Sequence, residues 1–421
     1  MGLKTRVTEA VTRWYLARAQ RKGFDLSTMA LLPDAALMPL KRTGLDPVPE
    51  LGRVRAEAPV SKVNMPFGVN VWLVSGYDEA KAVLGDAKAY SNDFANLVGQ
   101  HGASETHSPG GLGFADPPEH TRLRKLLTPE FTMRRLARLT PGIKAIVEQR
   151  LDAMAAADGP VDLVAEFALP IPSLVICELL GVPYDDRAEF QRLSMARFDL
   201  FGGATASLGA ISESLHYLLG VVEQQRKTPG DGLLGMIIAE HGDEVEDIEL
   251  AGLADGVLTG GFETTASMLA LGALVLLGDR DSFKLVHDDD AAVHDFVEEL
   301  LRYLTVVQVA FPRFAREDTT VGGVDIAEGD VVIVSLSGAD RDPALGEDLE
   351  RVDPTRDPTS HLAFGYGVHR CIGAELARME LRAAYPALVR RFPSIRLADE
   401  ELNYRKVSIV YGVDRLPVLL D

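Results

Sequence analysis

The spacing of apolar residues divides the chain into a long helical middle and three regions with strand patterns. Positions 119–305 carry apolar residues mainly at three- and four-residue intervals, which predicts helices. The region 59–83 has a strand pattern in VSKVNMPFGVNVWLVSG, broken by Pro-Phe-Gly, and then a helical pattern in YDEAKAVL. Further β-branched runs occur at 319–336 and in KVSIVYGVDRLPVLL near the end. Helices segregated from small sheets favour an α+β or mostly α protein over a regularly alternating parallel sheet.

Two stretches bear on a membrane location. The apolar run ASMLALGALVLL at 266–277 is shorter than the ~20 residues that a bilayer-spanning helix needs, so it predicts a buried helix. The start, MGLKTRVTEAVTRWYLARAQRK, interleaves apolar and basic residues, which fits either a membrane-surface helix or a helix packed on its own domain. We expect the second, with residues 1–50 forming a helical or extended segment that packs on a main domain at 51–421.

Composition and charge narrow the class of protein. The 421 residues are 47% hydrophobic and contain no low-complexity linker, which predicts one large globular unit. Acidic residues (62) exceed basic ones (43), giving a net charge of −19, so nonspecific nucleic-acid binding is not expected as the main activity. Two cysteines cannot build a disulfide framework and no signal-peptide pattern opens the chain, so we expect a cytoplasmic protein.

Common nucleotide and metal signatures are missing from the sequence. It contains no GxxxxGK, HExxH or CxxC motif, and GGLGFA at 110–115 lacks both the dinucleotide-binding spacing and a preceding strand. The sequence therefore does not favour an enzyme that depends on any of these nucleotide-binding or metal-binding motifs.

The stretch FGYGVHRCIGAELARMEL at 364–381 places Cys371 between a glycine-rich loop and a strong helix former. Gly365, Gly367 and Gly373 surround the cysteine, and glycines allow positive φ and a close approach of the backbone to a flat ligand. The free N–H groups at the start of the helix would stabilise a thiolate, which could bind a metal. A buried structural cysteine is the ordinary alternative for an isolated thiol.

Three further stretches carry candidate chemistry, each with a simpler alternative. In VEELLRY, Glu299 and Arg302 lie one helical turn apart and can pair, although a solvated ion pair is common. In LTGGFETTAS, Thr264 can bond to the carbonyl of Gly260 and open a notch in the helix, or the two glycines mark a close helix crossing. In DPPEHTRLRKLL, His120 and Arg124 share a helical face and could be plain surface charges.

These motifs together resemble the cytochrome P450 family. FGYGVHRCIG matches its haem-thiolate signature FxxGxxxCxG in Phe364, Gly367, Cys371 and Gly373, and the other three stretches occur in the family's order. The resemblance covers roughly residues 50–421. It implies the cytochrome P450 fold, mostly α with small β-sheets in a single large domain, holding haem b (iron protoporphyrin IX).

The resemblance also implies roles for individual residues. Cys371 is the proximal iron ligand, shielded by Phe364, and Gly260, Gly365 and Gly373 lie against the haem. The haem propionates are bound by His120, Arg124, Arg313 and His369, while His361 has a supporting structural role. Glu263 is the acid and Thr264 the alcohol of a proton-delivery pair.

A structural triad is implied as well. Glu299 and Arg302 are joined by an arginine from the loop ahead of the cysteine, for which we predict Arg351, with Arg356 as the substitute. One departure from the family is visible: GADRDP has Asp340 where relatives usually carry Asn.

The implied reaction inserts one oxygen atom of O2 into an apolar small molecule of terpenoid, fatty-acyl, steroid or polyketide type. Electrons are expected from NAD(P)H through ferredoxin reductase and ferredoxin, and the protein is expected to be a monomer. The ferredoxin would dock near a basic patch. The alternative is that these cations are scattered over a solvated surface: Arg122, Lys125, Arg134, Arg135, Arg378 and Arg382. A peroxide-driven peroxygenase, a noncatalytic haem sensor and a haem-free helical binding protein are the alternatives.

By family analogy, the substrate pocket is lined mostly by apolar residues, which favours an apolar substrate. The predicted lining comes from the loop at 92–114 (Phe94, Leu97, Val98), the region 190–213 (Leu193, Phe198, Phe201), Val257 and Gly261, Val307 to Phe311 including Val309, and Ser408 to Tyr411 including Val410.

Overall fold

A computed structural model describes residues 33–65, 70–93, 111–182, 204–356, 360–398 and 401–421. Three sequence-based predictions fall outside these ranges. They are the N-terminal amphipathic helix, the Pro-Phe-Gly break within the first strand region, and the pocket residues Phe94, Leu97, Val98, Leu193, Phe198 and Phe201.

Helices make up most of the described chain. Numbered in chain order, they are α1 Asp34–Leu37, α2 Pro49–Glu57, α3 Tyr77–Gly85, α4 Glu119–Leu127, α5 Met133–Leu136, α6 Thr140–Ala155, α7 Pro170–Leu180, α8 Ala204–Lys227, α9 Leu233–His241, α10 Asp247–Gly278, α11 Arg280–Asp288, α12 Ala292–Leu304, α13 Leu336–Ala339 and α14 Ala374–Arg391. Short 3-10 turns include Gly111–Phe114 and Gly367–His369.

The strands are short and form small sheets. They are β1 Arg42–Thr43, β2 Asp46–Pro47, β3 Val60–Asn64, β4 Asn70–Val74, β5 Tyr90–Ser91, β6 Val161–Asp162, β7 Arg313–Ala315, β8 Thr319–Val321, β9 Val324–Ile326, β10 Val331–Val334, β11 Arg396–Leu397 and β12 Pro417–Leu419. The largest sheet has the order β3-β4-β10-β7-β5, and β11-β12-β6 form a second. The pairs β1-β2 and β8-β9 stand alone.

The strand predictions within 59–83 and 319–336 are confirmed, since both regions contribute to the five-stranded sheet, and the predicted helix YDEAKAVL is α3. Val71 to Val74 of β4 pair in parallel with Val331 to Val334 of β10, and β3 pairs antiparallel with β4. The C-terminal region differs from the prediction. Only Pro417–Leu419 is a strand there, and residues 404–413 form a hairpin closed by the Tyr404–Val413 bridge.

Helix α10 is the central element of the core. In the described ranges it is the one helix long and apolar enough to span a membrane, but 72% of its most apolar window is buried inside the protein. Every residue from Thr265 to Leu276 is buried, which confirms the prediction of a buried helix at 266–277. The run has no polar face because other helices surround it on all sides.

A glycine allows α14 to cross α10 closely. Tyr385 of α14 is fully buried, and its hydroxyl donates to the Met268 carbonyl at 2.6 Å. A Cβ atom on Gly272 would overlap that phenol ring. This crossing brings the helix that follows Cys371 against the helix that contains Thr264.

The mostly helical, single-domain architecture with small sheets agrees with the predicted fold class. The division of the chain at residue 50 stays a prediction. In the described part of the N-terminal segment, Arg42 donates to the Leu304 carbonyl at 2.6 Å and to Gln308 Oε1 at 2.8 Å, so this part packs on the main domain.

Candidate active site

The loop before α14 holds Cys371 through backbone geometry. The Cys371 N–H donates to the Phe364 carbonyl at 2.9 Å. Gly365 and Gly367 have φ of +67° and +73°, the region that favours glycine. A Cβ on Gly367 would also overlap the Leu84 carbonyl oxygen, so the loop is seated on the end of α3.

Gly373 differs from the other two glycines of the loop. Its φ is −82°, so positive φ does not explain it. A Cβ there would lie 3.9 Å from both Cys371 Sγ and the Phe131 ring, so the glycine leaves room beside the sulfur.

The Cys371 thiol sits deep in the protein while the residue keeps accessible surface. Burial raises the pKa of the thiol, and the Gly373 N–H together with Arg124, Arg370 and Arg378 lowers it by a smaller amount. The N–H groups at the helix start act in the predicted direction, and burial of the thiol opposes them. A cationic ligand over the sulfur would supply the missing stabilisation.

The four predicted propionate ligands lie close together. The rings of His120 and His369 have centroids 4.2 Å apart. Arg124 donates to the Arg370 carbonyl at 2.8 Å, which ties α4 to the cysteine loop. Arg313 donates to Asn92 Oδ1 and to the Phe311 carbonyl. Asn92 was not predicted, because nothing in its local sequence signals this contact.

On this cationic cluster, comprising His120, Arg124, Arg313 and His369, one described carboxylate acts, that of Asp116, and it is already paired with Arg316. Burial, followed by the other cations, lowers the pKa of His369 to about 3. Burial lowers the pKa of Arg313 to about 10 and also lowers that of His120 and Arg124. Both ring nitrogens of His120 are buried and, within the described residues, have no hydrogen-bond partner. A ligand with carboxylates fits this site.

Helix α10 contains the predicted notch. The Thr264 hydroxyl donates to the Gly260 carbonyl at 2.8 Å. A Cβ on Gly260 would meet nothing within 4 Å, whereas one on Gly261 would lie 3.2 Å from Ile176 of α7. Gly260 therefore faces open space and Gly261 permits a close helix crossing. This argues against Gly261 as pocket lining.

Glu263 is mostly buried beside this notch and is paired with Arg405. The Arg405 Nη1 to Glu263 Oε1 distance is 2.6 Å, and 13% of the Glu263 side chain is exposed. Burial raises the pKa of Glu263 and Arg405 offsets part of that effect. The sequence analysis missed Arg405, whose only signal is a cation within an otherwise β-rich C-terminal pattern.

The triad prediction was wrong in one member. Glu299 accepts two hydrogen bonds of 2.8 Å from Arg302, and both side chains are buried. The third guanidinium belongs to Arg356, whose Nε lies 3.4 Å from Glu299 Oε1. Arg351 contributes only its carbonyl, at 3.1 Å from Arg302, because its side chain is exposed.

Asp340 connects this region to the cysteine loop. It is fully buried and accepts from the Leu362 N–H at 2.6 Å and from the Thr305 hydroxyl at 2.8 Å. Burial raises the pKa of Asp340 to about 6, with His361 and Arg302 acting in the opposite direction.

We expect Asp340→Asn to raise stability at neutral pH. A carboxyl with a raised folded-state pKa loses stability as pH rises from about 4 to about 6, and the cost at pH 7 is at most about 3 kcal/mol. Asn removes this cost, can accept from the Leu362 N–H through Oδ1, and can donate from Nδ2 to Thr305 Oγ1 while that hydroxyl donates to the Arg302 carbonyl. Thermal unfolding should show a higher Tm for the variant at pH 7.5 and a much smaller difference at pH 4.5.

Asp340→Ala is the matched control, because it leaves the Leu362 N–H unpaired and should lower the Tm at both pH values. A lower Tm for Asp340→Asn than for the unmodified protein at pH 7.5 would contradict this prediction.

The predicted basic patch is smaller than expected. Glu298 accepts from Arg378 at 2.6 Å and lies 3.4 Å from Arg382. Arg122 pairs with Glu119 and Glu249, and Arg135 with Glu130. Of the six predicted cations, only Lys125 and Arg134 have no ion pair to a described carboxylate.

The described pocket residues Val257, Val307, Val309 and Val410, here the apolar region, are all partly buried. Val307 and Val410 form an antiparallel bridge, and Val309 bridges Ser335. Val257 packs on the buried core. Phe311 is 48% exposed and Ile409 42%, unusual values for large apolar side chains on these elements.

An accessible deep cysteine, a cationic cluster that fits carboxylates and a notched helix define a haem-thiolate protein. The family model for cytochrome P450 matches residues 65–228 and 221–410. The chain belongs to the cytochrome P450 family and is a monooxygenase with haem b and NAD(P)H-derived electrons supplied by redox partners.

Bacterial relatives support this assignment across nearly the whole chain. Cytochrome P450 165B3 of Amycolatopsis orientalis is 40% identical over 90% of this chain and 97% of its own length. Cytochrome P450 monooxygenase PikC of Streptomyces venezuelae is 40% identical over 89% and 91%. The structure of P450 StaH from glycopeptide antibiotic A47934 biosynthesis superposes with a TM-score of 0.82 at 42% identity, covering 91% of this chain and 99% of StaH.

Proposed function

We propose that this monooxygenase inserts one oxygen atom of O2 into an apolar small molecule, using electrons from a ferredoxin and its reductase. The observation that carries this proposal is the notch in α10, where the Thr264–Gly260 bond lies beside the mostly buried acid Glu263. A haem carrier or sensor has no need of an acid and an alcohol placed together.

The haem would be held by residues at two places. Cys371 would ligate the iron from the loop before α14, and the cationic cluster would bind the propionates. The ring nitrogens of His120 have no partner among the described residues, which supports this assignment, because a propionate would accept a hydrogen bond from the ring N–H. Phe364 lies beside the loop with Arg378 Cζ 4.7 Å from its ring centroid.

Thiolate-bound haem supplies the oxygen activation. The protein's own contribution is to deliver protons and to exclude bulk water. Glu263 would carry protons from the C-terminal side of the site to Thr264. The Thr264 hydroxyl, fixed by the Gly260 carbonyl, would pass them to the distal side of the site.

The substrate would bind against apolar side chains. Val257, Val307, Val309 and Val410 offer no charge to a ligand, and the exposed Phe311 and Ile409 extend the same surface. A terpenoid, fatty-acyl, steroid or polyketide compound would fit. StaH comes from glycopeptide antibiotic A47934 biosynthesis, and another relative is a Nocardicin C N-oxygenase from Nocardia uniformis subsp. tsuyamanensis, which supports a secondary metabolite here.

The electron donor would dock on the cysteine side of the protein. Lys125, Arg134 and Arg370 are exposed there, next to Met133 at 68% and Val368 at 39% exposure. Cations around exposed apolar residues suit an acidic ferredoxin. A cytoplasmic monomer is the proposed state, supported by the likeness to soluble bacterial relatives.

A carbon monoxide difference spectrum of the reduced protein tests the site, and turnover tests the reaction. We expect a thiolate-type carbonyl spectrum, spin-state shifts with apolar compounds, and product only with NADPH, ferredoxin and reductase together. A histidine-type spectrum would overturn the haem assignment. Turnover with peroxide but none with the redox partners would identify a peroxygenase instead.

A further inference from the structure

The C-terminal hairpin at 404–413 contacts both the apolar region and the side chain of Glu263. At its base, the Arg405 N–H donates to the Gly412 carbonyl at 2.9 Å, and Tyr404 bridges Val413. At its tip, the Gln308 N–H donates to the Ile409 carbonyl at 2.9 Å. The tip therefore borders the apolar region, and the base carries the cation that pairs with Glu263.

The hairpin is packed tightly on α10 next to that acid. A Cβ on Gly412 would lie 2.8 Å from Ser267 Oγ, one helical turn after Glu263. Because backbone and helix are in close contact here, the hairpin base cannot slide far along α10. The movable part of this contact is the Arg405 side chain, 19% of which is exposed.

Arg405 has two carboxylate partners. Its Nη1 lies 2.6 Å from Glu263 Oε1, and its Nε lies 3.3 Å from Asp414 Oδ1. Asp414 is 46% exposed and Glu263 only 13%. Arg405 can therefore release Glu263 and still keep a counterion, so the remaining cost falls on the buried Glu263 carboxylate and is relieved when that carboxylate takes up a proton.

The charge of Glu263 depends on this one cation. Of the described ionisable side chains, only Arg405 bonds to Glu263, and Asp414 acts through Arg405. Burial favours the neutral acid and Arg405 favours the carboxylate. No other described charge opposes the burial.

We propose that Arg405 is a positioning residue for oxygen activation, which holds Glu263 as an oriented carboxylate and frees it to take up a proton when the guanidinium shifts to Asp414. This inference rests on the proposed function, in which Glu263 delivers protons. It assigns the C-terminal hairpin a part in proton delivery in addition to lining the pocket.

An infrared titration of the carboxyl groups in the ferric holoenzyme measures this directly, without turnover. Glu263→Gln identifies the band that belongs to Glu263, by its loss. In Arg405→Gln the midpoint of that band should rise by at least about 1 pH unit, because removal of an adjacent opposite charge shifts a carboxyl by about 1–3 units. In Arg405→Lys the midpoint should return most of the way to that of the unmodified protein, because lysine restores the positive charge.

Asp414→Asn provides a test of opposite sign. It leaves Arg405 with Glu263 as its only partner, so the midpoint should fall. Arg415→Gln is the matched control, since it removes another arginine of this segment that pairs with Asp162 at 3.3 Å and does not contact Glu263. Its midpoint should not change.

The alkaline limb of coupled product formation should move in the same directions, because a proton donor works below its pKa. An unchanged or lowered midpoint in Arg405→Gln, or a raised one in Asp414→Asn, overturns the role of Arg405. If Arg405→Gln does not fold, Arg405→Lys and Asp414→Asn still decide the question. Absence of a thiolate-type carbonyl spectrum would instead contradict the proposed function. The infrared titration tests the role of Arg405 without turnover, so the two outcomes can be told apart.

Discussion

Cys371→Ser should abolish the thiolate-type carbonyl spectrum and reduce substrate oxidation below detection. A serine hydroxyl has no ionised sulfur to donate electron density to iron, and that donation is what favours O–O cleavage. The loop itself should survive, because the Cys371 N–H bond to the Phe364 carbonyl and the positive φ of Gly365 and Gly367 do not involve sulfur. The spectrum of the reduced carbonyl adduct and product formation measure the effect.

Cys177→Ala is the matched control, since it changes the other cysteine of the chain. Cys177 is completely buried in α7 and lies in a different environment from the cysteine loop. Its replacement should cost about 1–2 kcal/mol of unfolding free energy and leave the carbonyl spectrum intact. A normal spectrum in Cys371→Ser would refute the assignment of the iron ligand.

Arg302→Ala should lower the free energy of unfolding by about 3–5 kcal/mol, the usual cost of removing one partner from a buried ion pair. Glu299 would stay buried without its two 2.8 Å hydrogen bonds. The carbonyls of Asp340 and Leu349, each 3.0 Å from Arg302 Nη1, would lose their donor. Typical domains are stable by about 5–15 kcal/mol, so this loss is a large fraction of the total and the yield of folded holoenzyme should fall.

Denaturant titration of a graded set of variants separates this triad from surface charge. Arg356→Ala should cost less than Arg302→Ala, because its Nε is 3.4 Å from Glu299. Arg351→Ala should stay within about 0.5 kcal/mol, because its side chain is exposed. A larger loss for Arg351→Ala than for Arg356→Ala would show that the loop is arranged differently. Replacing Glu299 and Arg302 together by leucine should recover part of the loss.

Sequence reasoning succeeded where a local pattern carries the physical constraint. The Thr264 to Gly260 hydrogen bond spans four residues, and the Glu299–Arg302 pair spans three, so helical periodicity alone predicts both. The buried helix at 266–277 followed from its uninterrupted apolar composition in the same way.

The failures occur where partners come from distant segments. Arg351 and Arg356 are five positions apart in one irregular loop, and no periodicity tells which side chain turns inward. Arg405 lies far along the chain from Glu263, in a hairpin whose register is fixed only by its packing on α10. Arg378 and Arg382 look like a solvated basic patch in sequence, but both meet Glu298.

The sequence by itself determined the family, the cysteine loop and the chemistry of α10, because each depends on residues that are close together along the chain. The tertiary structure alone decided two matters: which guanidinium reaches Glu299 and which cation pairs with Glu263. These depend on burial and on contacts between distant segments, and the free energy of a charge is set by such surroundings rather than by its neighbours in sequence.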